Sequence, residues 1–386
     1  MQGFVDSTIE RAMNDVTNKF QHKLEILKDN KIVLKLWNHY KNSYHKVYQS
    51  VSEEKDRLEK FIGNLRFIIK ENLRFEKGVK SFKLHLNEFG DMNLSEMRQK
   101  MAGLRVDYYV KSLSINQRPK RFLFDSVKKK INKFKDKIKK KFHPGKVRND
   151  SNTFDGSDRS TRRTTTKKRV SASKIDYRPY MNPIVNQGQC GSCYAFSVTA
   201  AIEGTYALKT GRRIQLSQQQ IVDCSSNYGC SGGFFETTFQ YIKQNGGLES
   251  DTSYPYVGTQ QSCYARSANI GSIQGFGTTP RDDEEEMKRA LITYGPLAAG
   301  ICITGDLQFY GSSEQAGASD IIDIPSCSKA INHAITIVGF GTDNGKDYWL
   351  VRNSWGENWG LNGYFKIARN KNSMCGIATY GYYTQI

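Results

Sequence analysis

An α+β fold is predicted for the C-terminal half of this chain, helix-rich first and strand-rich after, with a small helical domain ahead of it. Three observations predict it. Between Glu53 and Asn72, bulky or apolar positions recur at steps of three and four (Arg57, Phe61, Leu65, Ile68, with Asn64 and Asn72 beside them). This is the period of an amphipathic helix, and Ser52 is its expected N-cap. Helix signals also follow Ser192 and run through Leu208 to a stop at Gly211. Beyond them Gly and Tyr become frequent, and strand-forming runs appear at Ala334-Ile335-Thr336-Ile337-Val338 and Tyr348-Trp349-Leu350-Val351.

Charge divides the chain. The formal net charge of +19 is concentrated in residues 118–170, which hold 20 Lys+Arg against 5 Asp+Glu. Three regions follow: 1–117, mostly helical; 118–170, a basic linker; and 171–386, the mixed domain. Within the linker, Val127, Ile131, Phe134, Ile138 and Phe142 fall at helical spacing among lysines, the pattern of a basic amphipathic helix. The polar stretch after it reads as disordered. An anionic membrane or a glycosaminoglycan is the partner its charge suggests, and a solvated spacer is the plainer reading.

All eight cysteines lie between Cys190 and Cys375, which suggests disulfides and an oxidising compartment. The opening MQGFVDSTIERAMNDV lacks the apolar core of a signal peptide, so a signal is expected to be missing from the sequence given. A cytosolic protein with reduced thiols is the alternative. No apolar run is long enough for a membrane-spanning helix. No CxxC pair is accompanied by spaced histidines, so neither a metal nor another cofactor is expected.

The decisive stretch is Gln187-Gly188-Gln189-Cys190-Gly191-Ser192-Cys193-Tyr194-Ala195-Phe196. A cysteine at a helix start is set up to react, because exposed N–H groups, the helix dipole and a nearby imidazolium all favour thiolate. His333, in Asn332-His333-Ala334-Ile335, follows 140 residues later, and Asn353, in Arg352-Asn353-Ser354-Trp355-Gly356, 160 residues later. With these motifs the chain resembles the papain family of cysteine proteases, in its cathepsin L-like branch, over residues 53–117 and 171–386. The resemblance implies a two-lobed fold, with a helix-rich left lobe and a β-barrel-like right lobe.

By the same resemblance Cys193 is the nucleophile, His333 the general base and then acid, and Asn353 the group that orients the imidazole. Gln187 joins the Cys193 N–H in an oxyanion hole. Trp355 shields the His–Asn hydrogen bond. Tyr194 stands where the family usually has Trp, a change of packing. The resemblance pairs Cys190 with Cys230, Cys224 with Cys263 and Cys327 with Cys375, leaving Cys302 as a buried free thiol. Gly232 and Gly233 bind substrate. Phe234, Gly300, Ile331, Ala334 and Tyr380 line the pocket for the second residue before the scissile bond, which is expected to be apolar, with no carboxylate at its base.

Glu53, Arg57, Phe61, Asn64, Ile68 and Asn72 match the ERFNIN pattern of cathepsin L-like propeptides. Asn87, Phe89 and Asp91 match the second propeptide motif, with His85 in place of its usual Gly. This implies an inhibitory domain whose tail crosses the active-site cleft in reverse, uncut. Five of the six histidines, His22, His39, His45, His85 and His143, lie in residues 1–143, so acid is expected to loosen that region. The mature enzyme is expected to start between Val170 and Lys174. Basic runs at Arg118-Pro119-Lys120-Arg121 and Lys167-Lys168-Arg169 are candidate processing sites. The expected protein is a latent monomeric endopeptidase, lysosomal or secreted, acting on proteins and peptides and inhibited by its own propeptide. The second reading is a scaffold whose function is the basic segment.

Overall fold

The structure, a computed structural model, describes residues 27, 29–106, 172–266, 269–313 and 318–386. The basic segment, its expected amphipathic helix, and His22 and His143 lie outside these residues.

The pro-region is built on two crossed helices, α1 (Asn30–Ser43) and α2 (Val51–Glu76). Trp37 and Tyr40 of α1 close on Phe61 and Leu65 of α2 in an apolar cluster of their own. The N-cap of α2 is Ser50, not Ser52: its Oγ accepts the Glu53 N–H at 3.1 Å. The reason is local, since Ser50-Val51-Ser52-Glu53 supplies Ser and Glu at capping-box spacing. The Glu53 carboxylate in turn accepts the Gln49 N–H at 2.8 Å.

The other matched positions hold the segment that follows. Asn64 donates to the carbonyls of Gly90 and Met92, both at 2.8 Å. Asn72 exchanges two hydrogen bonds with Leu84, and Arg57 reaches the Asp91 carbonyl and the Glu96 carboxylate. Asp91, buried, accepts from the Tyr40 and Tyr48 hydroxyls and from Lys46. The segment so fixed contains β1 (Lys83–Leu84) and leads into α3 (Leu94–Met101).

Residues 172–386 form the mixed domain. After β2 (Ile175–Asp176) come α4 (Cys193–Thr210), α5 (Gln218–Cys224) and α6 (Phe235–Gln244). α4 is buried on nearly every face and ends at Gly211, whose left-handed φ of 72° suits glycine. The strand half holds β3 (Gly275–Thr278), α7 (Glu284–Tyr294), β4 (Leu297–Ile301), α8 (Gly305–Gln308), β5 (Tyr310–Gly311), β6 (Ile321–Ile322), β7 (His333–Asp343), β8 (Lys346–Arg352), β9 (Tyr364–Ala368) and β10 (Gly381–Gln385). The main sheet runs β3-β10-β4-β7-β8-β9-β6, with β2 also on β7. Its pairs are antiparallel except β6 with β9. Two buried clusters fill the domain, one under the sheet and one around α4, α5 and α6.

The pro-region and this domain pack as one unit. β1 pairs with β5, Lys83 opposite Gly311. Lys80 makes an ion pair with Asp306, Asn87 donates to the Gln308 carbonyl at 2.7 Å, and Arg98 donates to the Ile303 carbonyl. Replacing Asn64 with Ala leaves the Gly90 carbonyl without a donor and the Met92 carbonyl with Gln308 Nε2 alone, and should destabilise the docked pro-region by about 2 kcal/mol. A lower denaturation midpoint for the inactive precursor, with faster processing of the active one, is the expected result.

Candidate active site

Two halves of the chain meet at the site. Cys193 opens α4, and His333 opens β7, paired there with Ile301. Ser197 Oγ donates to the Ile335 carbonyl at 2.6 Å and ties that helix to that strand. Asn353 follows β8, and its Oδ1 lies 2.8 Å from His333 Nε2. The same Oδ1 accepts the Ser354 N–H at 2.9 Å, which fixes its orientation. The Trp355 ring, fully buried, lies 4.8 Å from the His333 ring and covers this pair.

Gln187 is anchored on three sides. Its N–H donates to the Ser354 carbonyl, its Oε1 accepts from Ser354 Oγ at 2.6 Å, and its carbonyl accepts from the Tyr256 hydroxyl. That leaves the amide nitrogen as a donor. It lies 2.8 Å from the Cys190 carbonyl and 3.1 Å from that of Met101. The Cys190–Cys230 disulfide pins the loop between Gln187 and Cys193. Cys224–Cys263 and Cys327–Cys375 are also bonded, while Cys193 and Cys302 are free and buried.

The pro-region's chain crosses this ground directly after α3. Gly103 donates its N–H to Cys193 Sγ at 3.2 Å, and Ala334 donates to the same sulfur at 3.4 Å. A Cβ on Gly103 would stand 1.7 Å from the Gly191 carbonyl oxygen, so the crossing needs glycine. The Gly103 carbonyl accepts from Gly233, whose own carbonyl accepts from Arg105, in a parallel bridge at Leu104. Leu104 donates to the Asn332 carbonyl. What meets the sulfur from the pro-region is thus an amide N–H.

Burial sets the protonation states. The Cys193 thiol is pushed up to about 11 by desolvation, only partly offset by the Ala334 and Gly103 N–H groups. His333 is pushed down to about 4 by the same cause, with Asn353 opposing. The expectation of a lowered thiol pKa therefore does not hold in this covered state. With Gly103 and Leu104 in place, the favoured forms are neutral thiol and neutral imidazole.

Leu104 fills the apolar pocket. It shares one buried cluster with Ile331, Ala334 and Tyr380, and its Cδ2 lies 2.8 Å from where a Gly300 Cβ would be. Phe234, expected in the pocket wall, is not part of that cluster, and its ring lies 6.4 Å from that of Tyr228. Gly232 and Gly233 abut the backbone of Gly103. Beyond Leu104, the Arg105 guanidinium stacks 4.1 Å over the Tyr228 ring and donates to the Ser231 carbonyl.

A carboxylate lies behind the expected lining of the pocket, outside it: Glu236 accepts the hydroxyls of both Tyr380 and Tyr382. Sequence reading missed Gly103 and Leu104 as occupants of the cleft. The one available signal was a lone Ala-Gly-Leu between a helix and a basic linker. Among the described residues, no group of three or more His, Cys, Asp or Glu side chains is placed to hold a metal.

Comparison with known proteins gives a consistent picture. Residues 171–385 match the papain family cysteine protease description, and residues 37–97 match the cathepsin propeptide inhibitor domain (I29). Cathepsin K of Mus musculus is 35% identical over 347 residues, 88% of this chain and 90% of that protein. Cathepsin L of Sarcophaga peregrina is 35% identical over 358 residues, 91% of this chain and 92% of that protein. Among solved structures, digestive procathepsin L 3 of the Tenebrio molitor larval midgut aligns with a TM-score of 0.69 and 30% identity, covering 92% of this chain and 99% of that one. The proform of the ragweed pollen allergen Amb a 11 aligns with a TM-score of 0.71 and 27% identity, covering 94% and 97%.

Gly103→Ala tests the crossing. It should lift the pro-segment from Cys193 and raise the inhibition constant of the free pro-region against the mature enzyme by at least about 100-fold, or 2.7 kcal/mol. An unchanged constant would refute the fit.

Proposed function

This chain belongs to the papain family of cysteine proteases, as a cathepsin L-like zymogen with its inhibitory propeptide, and on that premise we propose that Cys193, His333, Asn353 and Gln187 carry the reaction. The observation that supports it best is the arrangement of the pro-segment. It sets its Met101 carbonyl on the Gln187 amide and its Gly103 N–H on the Cys193 sulfur, covering the two groups a substrate carbonyl would need.

When the segment leaves, water returns, and the thiol can pass its proton to His333. The thiolate attacks the substrate carbonyl carbon, forming a C–S bond. The oxygen takes up negative charge and is met by Gln187 Nε2 and the Cys193 N–H. His333, held by Asn353, gives its proton to the leaving amine as the C–N bond breaks. Water, deprotonated by His333, then hydrolyses the thioester and regenerates the thiol. Leu104 in the apolar pocket supports a preference for apolar side chains two residues before the scissile bond. The rim at Phe234 and the backbone of Gly232 and Gly233 would receive the substrate strand.

The functional boundaries we propose are 1–117 for the inhibitory domain, 118–170 for the basic linker and 171–386 for a monomeric peptidase. Three disulfides favour an oxidising site of action, lysosomal or secreted. An anionic membrane or a glycosaminoglycan is the partner proposed for 118–170, on its charge alone.

Cys193→Ala should lower peptide hydrolysis by more than about 10⁴-fold while leaving the fold intact, and Gln187→Ala by about 100-fold. Retained turnover in Cys193→Ala would end this reading. The pH dependence of latency has a definite sign. His333 is held near 4 when covered and recovers toward its ordinary value near 6.5 when water returns, so the open state binds the proton more tightly. This contribution favours the closed state above pH 6.5, and it is lost as pH falls from 6.5 toward 4, by up to roughly tenfold per unit. In the Cys193→Ala precursor, pro-region affinity should therefore fall across that window. Adding His333→Gln should flatten part of the slope.

A further inference from the structure

The base of the apolar pocket is held from behind by a charged group. Tyr380 and Tyr382, two residues apart, turn to the same side of the chain as it enters β10, their rings 5.0 Å apart. Tyr380 stacks on Phe235 at 5.4 Å. Glu236, in the first turn of α6, takes the Tyr380 hydroxyl on one carboxylate oxygen and the Tyr382 hydroxyl on the other. Both phenols are buried. Accepting two O–H donors needs lone pairs on both oxygens, the role of a carboxylate in charge-assisted hydrogen bonds.

Both tyrosines share the buried cluster that holds Leu104; Tyr380 is the one the resemblance puts in the pocket wall, and its carbonyl accepts the Gly300 N–H at 2.9 Å. The pocket therefore ends on an aromatic ring whose far tip is tied to a negative charge. On the reading of this chain as a peptidase with Cys193 as nucleophile, we infer that Glu236 is a specificity-determining residue acting through Tyr380. The phenol–carboxylate bond locks the ring as an apolar floor and screens a charge that a basic substrate side chain would otherwise meet.

Two consequences separate this from ordinary packing. In the native enzyme, arginine at this position meets the ring and loses its hydration without gaining a partner, which excludes it. With the ring gone, a guanidinium can take the hydrogen bonds that the phenol made to Glu236. Exclusion of basic residues thus comes from Tyr380 standing in front of the carboxylate, not from an uncharged surround. Glu236 itself touches no substrate in the native enzyme and is a positioning residue.

The test uses the full-length zymogen, matured, with two peptide reporters that differ only in Leu or Arg two residues before the scissile bond. The native enzyme should prefer Leu by at least about 100-fold in kcat/KM. Tyr380→Ala should cut that preference at least tenfold by raising kcat/KM toward Arg, and Glu236→Gln added to it should remove the gain. Glu236→Gln alone should raise KM for the Leu reporter about threefold with kcat within a factor of two. Thermal melting identifies folded variants, and Tyr380→Ser carries the same expectation if Tyr380→Ala does not fold. Hydrolysis of the Leu reporter without any gain toward Arg overturns the inference alone. So does an equal gain in the double variant, which would make the effect one of space. Failure of the folded native enzyme to cleave either reporter would instead overturn the peptidase reading and this inference with it.

Discussion

Gly103 donates to Cys193 Sγ at 3.2 Å, an approach open only to a residue with no side chain at that point. Much of the latent state follows from that contact. An amide laid over the sulfur removes the water that would solvate a thiolate, and the neighbouring imidazole loses its own hydration in the same step. Desolvation outweighs the N–H groups that would favour the anion, so the thiol rises to about 11 and His333 falls to about 4. Latency here is both steric and electrostatic: the cleft is filled, and burial disfavours the charged forms of both Cys193 and His333.

The rest of the pro-region delivers that glycine to its place. Asn64 and Asn72 on α2 hold residues 84–92 by their carbonyls, and that segment lays β1 along β5. From there α3 projects the chain over Gln187 and Cys193. The binding surface is spread over an ion pair at Lys80, a strand pair and the Arg98 contacts, well away from the reacting atoms. Part of the affinity is therefore carried by residues that do not cover Cys193, beside the part that the Gly103 crossing supplies.

What was legible in the sequence was what lies in short motifs. Cys193, His333, Asn353 and Gln187 each sit in a compact string, and the structure brings them together. The α2 positions were legible for the same reason: one helix face carries them all. Ser50 was missed because two serines stood near the helix start and only the one three residues before Glu53 completes a capping box. Glu236 was missed because its role exists only where α6 meets β10, 144 residues apart in the chain. The thiol's direction of shift was missed because a helix N-terminus is a local feature, whereas the cover over it comes from residue 103.

The site under the cover is already built. His333 is held by Asn353, Asn353 by the Ser354 N–H, and Gln187 by Ser354 and Tyr256, all within residues 172–386. None of these bonds uses a pro-region atom. The pro-region does touch Trp355, through the Phe89 ring at 5.6 Å, but that indole is also packed by Trp359 at 5.1 Å. Removing residues 101–105 thus uncovers Gln187 and Cys193 without taking away any of these bonds. On the mechanism proposed above, activation requires departure of the segment and rehydration of Cys193 and His333, and none of these supporting bonds has to break for it. Fixed donors that need not reorganise are what an oxyanion site requires, and Gln187, in the role proposed for it, is held in that way while the cleft is still covered.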